Sequence, residues 1–162
     1  RYPRREVSLM ARLFTALDHI AVALWAGGLW IVGYLVAPLL FARAPDRQVA
    51  GQLAGQMFAA MAFVGLGCAL YILAFRLARQ GIPAMKQAMF WAALLMAVLA
   101  LAGHFGVQPI LASLKTQALP REVMESVFRD RFAAWHGVAS IFYLIESILA
   151  VALVLLAARS PR

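Results

Sequence analysis

The sequence predicts an all-α, integral membrane fold: a four-transmembrane-helix bundle with an amphipathic interfacial helix before the last span. Two observations carry that prediction. Four uninterrupted apolar blocks, at about 13–41, 50–75, 87–111 and 132–158, each reach the ~20 residues needed to cross a bilayer. Charge is gathered between the blocks, so the 162-residue chain reads as a single membrane domain with 64% hydrophobic and 14% charged residues and a mean hydropathy of +0.81.

The first block, LFTALDHIAVALWAGGLWIVGYLVAPLLF, sets an acid and a histidine near one end and Gly27, Gly28 and Gly33 further on, a composition suited to close helix packing. It is much longer than the ~7–15-residue core of a signal peptide, so it is expected to be retained; Met10 is a candidate natural start. The link ARAPDRQ follows, where Pro45 keeps Ala44 extended and Asp46 can cap the next helix. In the second block Gly51, Gly55 and Ala59 recur every fourth residue, a face for contact within the bundle or, alternatively, for a homo-oligomer. Gly81 is expected to stop that helix and Pro83 to start the third. In the longest connection, Val123, Met124, Val127, Phe128 and Phe132 fall on one side at helical spacing, which predicts the interfacial helix.

The net charge of +8 does not indicate a nucleic-acid partner, because the basic residues flank apolar spans and form no face with interleaved aromatics. The expected partner is the lipid bilayer. Arg1, Arg4, Arg5, Arg12, Arg76, Arg79, Lys86, Arg159 and Arg162 stand on one side, against Arg43, Arg47, Lys115, Arg121, Arg129 and Arg131 on the other. This bias predicts both termini in the cytoplasm. The one cysteine, Cys68, excludes an intramolecular disulfide and reads as a packing residue.

Chemistry, if present, must use the polar residues inside the spans. Counting ~100° per residue aligns His19 with Ala26 and Trp30, His104 with Ala97 and Gln108, and His136 with Ser140, Tyr143 and Ser147, so all three histidines are expected to face protein. His104 and His136 lie near the same end of antiparallel neighbours, at depths differing by ~5 Å. They form a candidate two-imidazole site for haem or copper, with His19 as a further ligand candidate and Met57 or Met61 as added copper ligands. Asp18 and Glu146 suggest a different function, a small proton- or cation-coupled transporter. Asp18 is expected to be held ionised by Arg12, Arg76 or Lys86, and Glu146 to be a neutral hydrogen-bond donor. A structural or assembly role without a cofactor is the third reading. There is no phosphate loop, GxSxG elbow or HExxH, and an enzymatic activity is not favoured. Trp91 and Trp135, near span ends, read as interfacial anchors.

The runs LWAGGLWIVGYLVAPLLF, DRQVAGQLAGQMF and FAAWHGVAS resemble the bacterial membrane family numbered 4149 among domains of unknown function, itself similar to human transmembrane protein 205. The likeness extends from about Leu13 to Leu156 and implies a multi-pass protein of a bacterial inner membrane. More distantly, His19 followed by Trp25 to Gly28 resembles the CopD copper-resistance domain and the HemJ-type protoporphyrinogen oxidase, which implies copper or tetrapyrrole handling.

Overall fold

The computed structural model describes residues 3–119 and 121–159, with side chains from Leu9 onward. The side chains of Arg1, Arg4, Arg5 and Arg162, which enter the charge count, lie outside the described residues. Helix α1 (Pro3–Ile31) passes through a π-helical turn (Val32–Val36) into α2 (Ala37–Arg43), and the first span is Leu9–Arg43. Helix α3 (Arg47–Gln80) is the second span. Helix α4 (Ala88–Leu101), a second π-helical turn (Ala102–Val107) and α5 (Gln108–Ala118) form the third, and α6 (Arg129–Arg159) is the fourth. All four are long and apolar enough to cross a membrane, and the described residues contain no strand.

The stops follow local chemistry. Ala44 is extended before Pro45, and the Asp46 carboxylate accepts the Val49 N–H at 2.7 Å to cap α3, as its position predicts. Gly81 ends α3 at φ 63°, a backbone region that glycine enters without steric cost. Pro83 does not start the third span. It lies in a short 3₁₀ turn (Ile82–Lys86), and the helix begins only at Ala88, after Gln87. Both π-helical turns close immediately before a proline: Ala37 N–H bonds to Val32 O before Pro38, and Gln108 N–H to Gly103 O before Pro109. A proline lacks the donor and crowds the carbonyl four residues back, here Tyr34 or Phe105, and a widened turn relieves that crowding.

The predicted interfacial helix does not form. A 3₁₀ turn (Val123–Glu125) stands in its place. Ser126 is extended and its hydroxyl accepts the Phe128 N–H at 3.1 Å, a local bond that competes with helix. Val123 is buried with Leu114 and Ala118, Phe128 and Phe132 pack against them, and Val127 points away, 93% exposed.

The spans form a square. Helix α1 packs on α3 and α6, and α4 packs on the same two, so α3 and α6 lie across a diagonal. Trp25, Ile72, Met96 and Leu153, one from each span, are the largest fully buried side chains at its centre. Ala26, Ala69, Ala93 and Ala150 surround them, while Ile20, Leu24, Leu70, Leu95 and Ile148 are exposed on the outside. Such an apolar exterior suits a chain whose solvent is lipid, where small residues let the helices approach.

Glycine is required at two contacts, Gly65 and Gly33, while Gly28 lies under the flexible end of Met61. A methyl at Gly65 would run into the Trp25 indole, one at Gly33 into the Tyr143 ring, and one at Gly28 would stand 2.7 Å from Met61 Sδ. Gly27 and Gly55 have nothing within 4 Å of such a methyl. The buried small face of α3 carries Ala50 and Ala54, one position away from the expected Gly51, Gly55 and Ala59, which are half-buried.

Candidate functional site

Two polar clusters join the spans, each built on a buried residue pair or acid. The first is at the end holding Leu9, the α3–α4 turn and Arg159, here the terminal end. Arg76 Nη2 donates to Asp18 Oδ2 at 2.9 Å, and both residues are more than nine-tenths buried. Arg76 Nη1 reaches Gln87 Oε1 at 3.4 Å, and Gln87 Nε2 donates to Gln80 Oε1. Of the three cations expected near Asp18, the fold selects Arg76; Arg12 and Lys86 are exposed. A guanidinium suits this place because its planar fork holds a carboxylate with defined geometry. Nearby, Tyr71 donates to Phe14 O at 2.8 Å and Arg79 to Thr15 Oγ1 at 3.1 Å, tying α3 to α1.

The second cluster is midway along α6 where it meets the first span. Tyr34 donates to Ser147 Oγ at 2.9 Å, and Ser147 Oγ donates to Tyr143 O at 2.8 Å. Trp30 Nε1 donates to Ser147 O at 3.3 Å, and the Tyr143 hydroxyl donates to Leu29 O. Tyr143 also meets Phe58 edge to face at 5.2 Å. Gly33 makes room for Tyr143 at the π-helical turn, so the widened turn and the tyrosine form one feature. Glu146 is buried beside this cluster, and its Oε1 has no hydrogen-bond partner. The expectation that Glu146 donates a hydrogen bond is therefore not met at Oε1.

Two of the three histidines, His19 and His136, do not meet the inward-facing expectation. His19 is exposed, its Nδ1 turned back to Thr15 O at 2.8 Å. His136 and Ser140 are exposed, with His136 stacked on Phe132 at 5.8 Å and Ser140 bonded to His136 O. The reason lies in the first span: beyond Pro38, α2 packs on α3, so this stretch of α6 loses the neighbour that covers Tyr143 and Ser147. His104 is half-buried, bracketed by Phe63 of α3 and by Phe105, each at 4.7 Å, with Nδ1 unpartnered. It thus faces α3, diagonal to the helix of His136. Met57 is exposed, and Met61 packs over Gly28. These residues do not fit a shared haem or copper site. Among the described residues no group of three or more His, Cys, Asp and Glu could hold a metal ion.

Sequence reasoning missed Tyr34, Gly65, Gln80 and Gln87, and the bond of Trp30 to Ser147 O. Two signals were present: Pro38 and Pro109 inside apolar blocks, which shift every residue counted past them, and two glutamines flanking the α3–α4 turn.

No curated protein and no solved structure matches the chain. A family model described as a domain of unknown function (DUF4149) matches residues 20–120, more than half of the chain. That stretch holds Trp25, Gly28, Gly65, Arg76 and both π-helical turns, while Asp18 and Glu146 lie outside it. A chain with four helices able to cross a membrane, matched over this length, belongs to the DUF4149 family, a family of unknown function.

Proposed function

We propose that the protein is a small proton- or cation-coupled transporter of the bacterial cytoplasmic membrane, with Glu146 as the group that takes up the ion. The observation that carries this reading is the buried, unpartnered Glu146 Oε1 in the middle of a span. An ionisable group at that depth is costly and is found chiefly where ions or protons pass. Two features support it. The linked Tyr34 and Ser147 hydroxyls and the Tyr143 hydroxyl, bonded to Leu29 O, supply polar groups near the acid, and π-helical turns interrupt the first and third spans, a device frequent at functional sites. Asp18, held by Arg76, acts in this reading as a lock at the terminal end. The Lys and Arg bias supports a cytoplasmic position for that end.

The test is reconstitution into liposomes with a trapped pH dye and an imposed potential. Proton flux above that of empty vesicles is expected, and Glu146→Gln should abolish it. Flux equal to that of empty vesicles, or equal in the variant, would return the protein to the structural reading, which the closed Asp18–Arg76 pair favours.

A further inference from the structure

At the end opposite the termini, a groove of about 460 Å³ opens between α2 and α3. Val36, Leu39, Leu40, Val49 and Leu53 wall it, and Arg43 stands at its mouth. It exists because Pro45 holds an extended turn between the helices and the π-helical turn before Pro38 redirects the first span. Leu39 and Leu53 are 49% and 42% exposed, so the groove opens to the lipid side.

The charge at the mouth is uncompensated. Arg43 forms no ion pair among the described residues, and Asp46, the acid of that turn, is committed to the Val49 N–H at 2.7 Å. Arg43 is also the last residue of the first span, and a cation at the end of a span suits the level of lipid headgroups. Val36 lies seven residues earlier, ~10 Å deeper at 1.5 Å per residue. An occupant must therefore be apolar along the groove and anionic at its top.

The geometry points to a binding site for one anionic phospholipid, with its phosphate on Arg43 and an acyl chain between α2 and α3. This site is independent of Glu146. The phosphate meets a guanidinium able to hold it with two parallel hydrogen bonds, and the chain covers the exposed parts of Leu39 and Leu53.

Native mass spectrometry of the full chain in mild detergent tests this, using phosphatidylglycerol and phosphatidylcholine of identical acyl chains. Phosphatidylglycerol should be retained about fivefold more, the preference one interfacial arginine supplies. Arg43→Gln should remove the preference and Arg43→Lys should keep most of it. Leu39→Trp, or Leu53→Trp from the opposite wall should the first fail to fold, should remove retention of both lipids. Equal retention of the two lipids by the unaltered protein, or an Arg43→Gln variant with the preference intact, overturns the site. So does displacement of the lipid by inorganic phosphate, which would make the ligand a free anion, or its replacement by a second copy of the chain as protein concentration rises.

Discussion

Asp18 Oδ2 receives Arg76 Nη2 at 2.9 Å inside the bundle, joining α1 to α3 where both side chains are withdrawn from lipid and water alike. Neither residue is tolerable alone at that place. Removing one leaves an uncompensated buried charge, whereas replacing both by apolar groups removes the penalty along with the attraction.

Asp18→Leu or Arg76→Met alone should therefore destabilise the protein by ~3–5 kcal/mol, while the double variant should recover most of the loss. Chemical denaturation in mild detergent measures all three. Additive losses would show that the two charges do not depend on one another.

The glycine contacts give a prediction of contrast. Gly65→Ala, which drives a methyl into Trp25, and Gly33→Ala, which drives one into Tyr143, should each cost ~1–3 kcal/mol through overpacking. Gly27→Ala and Gly55→Ala, with open space at the added methyl, should stay within ~0.5 kcal/mol of the parent. A thermal unfolding series decides it, and similar losses at Gly65 and Gly55 would contradict the packing described.

Glu146 separates stability from activity. Its Oε1 has no partner to lose, so Glu146→Leu should leave the protein as stable as the parent or more so, and Glu146→Gln should fold normally. Proton flux in liposomes should be absent from both. A Glu146→Leu loss above ~1 kcal/mol would instead mark the carboxyl as a structural hydrogen-bonding group.

Topology has its own test. A reporter fused after Arg162 should be active in the cytoplasm, because the basic residues favour that side for both ends of the chain. Periplasmic activity would exchange the sides of the two polar clusters and put the Arg43 groove in the cytoplasmic leaflet.

Arg76 shows how far the site was legible in the sequence. It was one of three cations within reach of Asp18, and choosing among them required knowing that α1 and α3 are neighbours and how each is rotated. Tyr143 and Ser147 were legible as a polar stripe, but Tyr34 and Trp30 were not legible as their partners, since an aromatic residue in a mostly apolar block reads as packing. His136 failed for a longer-range reason. Its face of α6 is the same as that of Tyr143, but beyond Pro38 the first span packs on α3 and leaves that face uncovered.

By itself the sequence determined the four spans, their antiparallel order, and the breaks at Asp46 and Gly81. Those follow from hydropathy summed over ~20 residues and from single-residue backbone preferences, which need no partner. Only the tertiary structure decided the rotation of each helix about its axis. Asp18 and His19 are adjacent in the chain and ~100° apart on the helix, and packing against α3 buries the first beside Arg76 and leaves the second exposed. In lipid, where apolar surface gains little by being covered, that rotation is set by close backbone contact at Gly65 and Gly33 and by the polar groups that must find one another.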